Sequence, residues 1–202
     1  SSAILSAFII EEVGNEEQCA DLLPRISSGE AIVALALSEP SYGWGPTGVH
    51  LRAHLQGDDY VVDGVKLFVH DALSATHLIT AVRTGEGDGA EGGLTLLLID
   101  TTTPGVSVRR LDGFVSSECV VHFEGVAVPK AAVIGPVGGA DAPLSRALMR
   151  ATPILCAYQV GGAQAVFDMS VEYSRERQQF GQRIGRFQHV QNHIIQLVNY
   201  VD

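Results

Sequence analysis

The chain has 202 residues, 46% of them hydrophobic, enough to bury a sizeable core in one or two domains. Its formal net charge is −10, from 23 acidic and 13 basic residues, and Lys66 and Lys130 are the only lysines. That balance repels phosphate backbones and anionic bilayers at long range, which excludes nucleic acid and the membrane surface as partners.

Cys19, Cys119 and Cys156 are odd in number and far apart, so they fit neither a zinc spacing nor a disulfide framework. The apolar run Ala3 to Ile10 lacks a basic flank and is too short to cross a bilayer. Together these features predict a soluble protein of a reducing compartment, the cytoplasm.

Residues 1–30 read as helical, with Gly14 and Pro24 as breaks. Asn15 followed by Gln18 has the form of an N-cap with its capping-box partner, and Gly29 ends the segment. From Ala31 the period changes. Ala31 to Leu37 is a continuous apolar run, as in a strand buried on both faces. Val49, Leu51, Ala53 and Leu55 then alternate with His50, Arg52, His54 and Gln56, the pattern of a half-buried strand. Gly57-Asp58-Asp59 predicts a turn, Tyr60 to Val62 a strand, Asp63-Gly64 another turn and Val65 to His70 the next strand. His77 to Arg83, Leu94 to Asp100, Val106 to Arg110 and Val120 to Phe123 continue the series. Spacing this regular predicts a small all-β barrel or sandwich.

Thr84 to Gly93 is a Gly-rich acidic insert in which residues 87–92 formally match G-x-G-x-x-G. A dinucleotide fingerprint must open a helix whose N-terminus receives a pyrophosphate, whereas here a strand follows and Glu86, Asp88 and Glu91 would repel phosphate. The insert reads as a hairpin tip. Gly135-Pro136-Val137-Gly138-Gly139 marks the next boundary, and a helical pattern runs from Ala142 to about Arg177. Gly161-Gly162 lies within it, which predicts close approach of another backbone. A last amphipathic helix, Phe187 to Val201, sets Phe187, Val190, Ile194, Leu197 and Val201 on one face. The expected class is therefore α+β: a helical stub over 1–30, an antiparallel β-barrel-like middle domain over 31–138, and long helices over 139–202.

Between the last two helices lies a basic, aromatic stretch with Arg177, Gln179, Phe180, Gly181, Arg183 and Arg186. Arginine presents a planar fork of donors suited to phosphate or carboxylate. By composition alone a solvated interhelical loop with a C-cap glycine is the better reading.

The order of short motifs carries more than any one of them. They are Gly14-Asn15-Glu16-Glu17-Gln18, Leu23-Pro24, Ser28-Gly29-Glu30, Ser38-Glu39-Pro40 with Gly43, and Gly57-x-x-Tyr60-x-x-x-Gly64-x-Lys66. Pro104-Gly105-Val106, Phe123-Glu124-Gly125-Val126 with Pro129, Arg177-x-x-Phe180-Gly181 and Phe187-Gln188 complete the set. In this order and spacing the chain resembles the acyl-CoA dehydrogenase family across nearly its whole length. Members of that family have an N-terminal helical domain, a central β-barrel and a C-terminal four-helix bundle. The resemblance assigns to 139–202 the first two helices of that bundle.

The resemblance implies an FAD-dependent oxidoreductase of fatty-acid or sterol side-chain β-oxidation that converts an acyl-CoA to the trans-2-enoyl-CoA and passes electrons to an electron-transfer flavoprotein. It implies a dimer or tetramer of like or unlike subunits of the same fold. It also assigns the cofactor site: Leu37, Ser38, Gly43 and Trp44 on a loop against the flavin ring, and Phe68 and His70 beside the ring. Arg177, Gln179 and Phe180 are assigned to the adenosine and pyrophosphate of a neighbouring subunit's FAD. Trp44, Gly45, Phe68 and His70 depart from the family's usual Ser, Asp, Trp and Thr/Ser. No catalytic base is visible: the family's usual glutamate has no counterpart within these residues, and none of residues 142–167 is acidic.

Two alternatives accompany the dehydrogenase reading. One is a catalytically impaired subunit that completes the FAD site of an unlike catalytic chain, and the weaker one is an acyl-CoA oxidase. His189 and His193 have i, i+4 spacing but no third ligand, which favours an interface over a metal. Ser38-Glu39 lacks a base with an orienter, and Glu39 is expected to order its own loop.

Overall fold

The computed structural model describes residues 2–85, 93–113 and 117–201. They group into two compact units, Ser1–Ala151 and Thr152–Asp202.

The first unit opens with two helices, α1 (Ser2–Val13) and α2 (Glu16–Ser28). Asn15 caps α2 through a reciprocal pair with Gln18, and Gly29 closes it at φ 78°. Pro24 does not break α2 as expected but lies inside it.

Eight strands follow: β1 (Val33–Ala36), β2 (Ala53–Gln56), β3 (Asp59–His70), β4 (His77–Thr84), β5 (Gly93–Asp100), β6 (Val106–Arg110), β7 (Glu118–Pro129) and β8 (Val133–Ile134). They form two four-stranded sheets, ordered β1-β4-β5-β8 and β2-β3-β7-β6. All pairs within the sheets are antiparallel except β1 with β4. The first sheet is buried on both faces. Ala34, Leu78, Leu97 and Ile99 share a core with Tyr60, Val62, Val121 and Phe123 of the second sheet. From its other face, Val33, Ile79, Leu94 and Leu96 pack with Ile9, Ile10, Leu22 and Ile26 of the helices and with Leu144 and Ala147. This two-sided burial is why β1 reads as an unbroken apolar run. The second sheet has one face in the core and alternates accordingly.

The expected turn at Asp63-Gly64 is instead a register irregularity within the single long strand β3. Residues 86–92, expected to form a hairpin tip, lie outside the described residues; the strands that flank them pair through Thr84 and Gly93.

Helix α3 (Asp141–Glu176) contributes residues to both units. In the first, Arg146 pairs with Glu12 and Arg150 with Glu11 of α1. The second unit continues with the two-residue strands β9 (Gln178–Gln179) and β10 (Gln182–Arg183), then α4 (Gln188–Val201). A Cβ added at Gly161 or Gly162 would meet nothing within 4 Å, so no backbone among the described residues approaches that pair as expected.

Candidate functional site

After β1 the chain leaves the first sheet at Leu37 and reaches the second sheet with β2, which begins at Ala53. Glu39 turns back into the protein and closes the base of this loop. Its Oε1 accepts from Lys66 Nζ at 2.6 Å and from the Leu51 N–H at 3.0 Å, and its Oε2 accepts from the His50 N–H at 2.9 Å. Lys66 Nζ also donates to the Leu37 carbonyl at 3.1 Å, and the Leu67 N–H donates to the Ser38 carbonyl at 2.8 Å. Arg83 holds the returning limb: Nη2 donates to the Pro46 carbonyl at 2.7 Å, Nε to the Val49 carbonyl at 3.0 Å, and Nη1 to Asp141 at 3.2 Å. Within the loop the backbones of Gly43 and Gly48 lie so close that a Cβ on Gly43 would be 2.5 Å from Gly48 Cα.

Lys66 is 0% exposed. Burial lowers its amine from 10.5 to about 8, against the raising effect of the Glu39 carboxylate and with a further lowering from Arg83. The interior therefore holds a charged pair whose remaining valences are met by backbone groups, the arrangement that makes a buried ion pair tolerable.

The loop tip faces outward. Trp44 is 91% exposed, and Tyr42 has φ 57°. The amides of Gly43 and Trp44 have no acceptor among the described residues.

Next to the loop, β3 carries one extra residue relative to β7 between Lys66 and Val69. Without it, Lys66, Phe68 and His70 would share a side of the strand and all face the core. The bulge reverses the alternation, so that Val69 is buried while Phe68 and His70 are exposed. Phe68 bears the strain at φ 54° and is 42% exposed. Its ring centroid lies 6.4 Å from that of Tyr42, and His70 Nε2 lies 3.8 Å from Glu118 Oε1. A bulky aromatic in the left-handed region, turned out of the core, is a feature to be explained by use.

In the second unit β9 and β10 form a hairpin whose two turn residues, Phe180 and Gly181, have φ 53° and 78°. This is the left-handed turn that matches strand twist, normally supplied by Asn-Gly or Gly-Gly. Phe180 is 93% exposed, and its edge meets Phe187 at 6.2 Å between centroids. Gly185 fits against the Ser174 carbonyl. Arg177 and Gln179 are exposed beside Phe180.

The expected site residues thus fall into two groups. Leu37, Ser38, Gly43, Trp44, Phe68 and His70 lie in the first unit, on the loop after β1 and on β3, which meet through the Leu67–Ser38 bond and the Tyr42–Phe68 pair. Arg177, Gln179 and Phe180 lie on and beside one hairpin of the second. Trp44 fills no interior space in its loop. Both oxygens of Glu39 are occupied, as its structural role requires. His189 and His193 stack edge to face at 4.8 Å between centroids, and no group of three metal-ligating side chains occurs among the described residues. Sequence reasoning missed the parts played by Lys66 and Arg83. The available signal was that Lys66 keeps the inward parity of Tyr60 and Val62.

Residues 34–126 match the family model of the acyl-CoA dehydrogenase middle domain, and residues 138–201 match that of the C-terminal domain. The short/branched chain specific acyl-CoA dehydrogenase of Bos taurus is 30% identical over 198 residues, spanning 96% of this chain and 45% of that protein. The crystal structure of an acyl-CoA dehydrogenase from Geobacillus kaustophilus superposes with a TM-score of 0.88 at 26% identity, over 98% of this chain and 53% of that one. A glutaryl-CoA dehydrogenase from Mycobacterium smegmatis in complex with FADH2 gives 0.85 at 25% identity, over 98% and 52%. The chain spans about half the length of the curated relatives it matches.

Proposed function

The chain belongs to the acyl-CoA dehydrogenase family, and on that premise we propose that it forms the flavin-holding part of an enzyme that oxidises an acyl-CoA thioester to the trans-2-enoyl-CoA. The observation that carries the reading is the bulge in β3. It turns Phe68 and His70 out of the core beside a loop whose Gly43 and Trp44 amides have no acceptor among the described residues. A flat apolar face next to donors suits a planar heterocycle with acceptors along its edge. When bound, FAD accepts the hydride equivalent from the β-carbon of the acyl chain.

The residues themselves bind and orient. Phe68 offers its face to the ring, His70 donates a hydrogen bond at its edge, and the loop of Leu37, Ser38, Gly43 and Trp44 donates through backbone and hydroxyl. Arg177 pairs with the pyrophosphate, with Gln179 and Phe180 against the adenosine of a cofactor held mainly by a neighbouring subunit. None of residues 142–167 is acidic, so the α-proton is taken by a carboxylate from outside that stretch. An electron-transfer flavoprotein is the proposed acceptor, in fatty-acid or sterol side-chain β-oxidation. Free Cys19, Cys119 and Cys156 fit a reducing compartment such as the cytoplasm. No helix among the described residues is long and apolar enough to cross a membrane.

The test is anaerobic mixing of the full-length protein with acyl-CoA thioesters, beginning with short and branched acyl chains as in the name of the Bos taurus relative. Bleaching of bound flavin by one acyl class supports the reading, and flavin untouched by every thioester refutes it.

A second reading has its own support: Trp44, Gly45, Phe68 and His70 depart together from the family's usual residues at one site. In that case the chain completes the flavin site of an unlike catalytic subunit. Low flavin occupancy restored by such a partner would select it, and oxygen consumption in place of acceptor reduction would select an oxidase.

A further inference from the structure

The loop that carries Leu37, Ser38, Gly43 and Trp44 is held by buried charge rather than by a ladder of backbone bonds. Glu39 reaches from its outgoing limb to the amides of His50 and Leu51 on its returning limb, so a single carboxylate closes the loop at its base. Lys66 neutralises that carboxylate and at the same time holds the Leu37 carbonyl. Lys66 also lies immediately before the bulge on β3. The next residue, Leu67, donates to Ser38, and the one after it is Phe68. One ammonium group therefore fixes both walls of the candidate site: the loop through Leu37 and Glu39, and the start of the bulge through its own backbone.

We propose that Glu39 and Lys66 are a positioning pair for the flavin, a tie that sets the spacing between the 37–44 loop and Phe68. This rests on the flavin-binding reading above. Neither side chain touches the cofactor, since both are enclosed by protein. Their effect passes through the backbone donors of the loop and the direction of Phe68. Breaking the pair on one side leaves a buried charge without its partner, whereas neutralising both sides removes the mismatch together with the tie. The two substitutions are therefore non-additive, as expected of residues in one network.

The experiment uses the full-length protein with Lys66→Met, Glu39→Gln and the double variant. It follows FAD dissociation constants together with backbone hydrogen exchange in the flavin-free form. The tie predicts that each single variant weakens FAD by roughly tenfold or more, the loss of one charge-assisted contact. The double variant should lose less than the product of the two single losses. Exchange should rise in residues 37–51 and at Leu67 while the amides of β4 and β5 keep wild-type protection. Single variants that bind FAD as the wild type does, or exchange raised uniformly across both sheets, overturn the proposal. A wild type that binds no FAD at all removes the functional reading instead, and the local exchange pattern still decides whether the tie exists.

Discussion

Glu39 and Lys66 meet at 2.6 Å in the interior, 27 residues apart, and their contact joins the loop after β1 to the strand that bears Phe68. The charge state of the pair follows from its burial. Lys66 releases its proton at about 8 in the folded protein, whereas an exposed lysine holds it to 10.5. Between those values the unfolded chain binds more protons, so the contribution of Lys66 to stability rises with pH across that window and is flat below it. The unfolding free energy of the wild type minus that of Lys66→Met should therefore grow from pH 8 to pH 10. A difference that stays level, or shrinks, contradicts the buried-lysine account.

Gly43 faces the backbone of Gly48 at a distance no side chain tolerates. Gly43→Ala is predicted to cost about 1–3 kcal/mol, the usual penalty for forcing extra volume into a packed site. The loss should appear in denaturant unfolding, with the slope of the transition unchanged. An unaltered midpoint would mean that the loop tip moves freely enough to admit the methyl group.

Phe68 lies at φ 54°, where a non-glycine residue is strained by about 1–2 kcal/mol. Phe68→Gly relieves that strain while removing the ring proposed to face the flavin. Stability should hold or increase, and FAD affinity should fall. Loss of both together would show that the ring matters to folding rather than to binding.

Arg177 is exposed, and its carbonyl accepts from the Ile184 N–H to close the hairpin base. Arg177→Ala keeps that backbone bond and should shift stability by no more than about 0.5 kcal/mol. If the guanidinium binds pyrophosphate, the same change weakens FAD in the assembled protein by about 1.5–3 kcal/mol, as for a hydrogen bond to a charged group. Calorimetric titration with FAD measures this, and equal affinities for the two proteins would exclude the role.

The elements were largely legible because local chemistry marks them. The capping box at Asn15 and Gln18, the apolar run of β1 and the long helical period of α3 each announced what forms there. Pro24 and Asp63-Gly64 misled for a common reason. Both are local punctuation marks that tertiary packing overrides, one inside a helix and one inside a strand whose partner carries the compensating residue. The candidate site was legible as a set of residue types, Phe68 and His70 among them, but not as geometry. The reversal of facing at Val69 depends on β7 lacking a residue opposite, and a pairing mismatch leaves no mark on one strand read alone. The same holds for Glu39, whose partners lie 11 to 27 residues away along the chain.

The most direct test of the account is the flavin content of the full-length protein after incubation with excess FAD and removal of free cofactor. A flavin-holding loop and an exposed Arg177-Phe180 hairpin predict stoichiometric FAD that is released only on unfolding. Protein that stays colourless, alone and in its native assembly, would contradict the account at its centre.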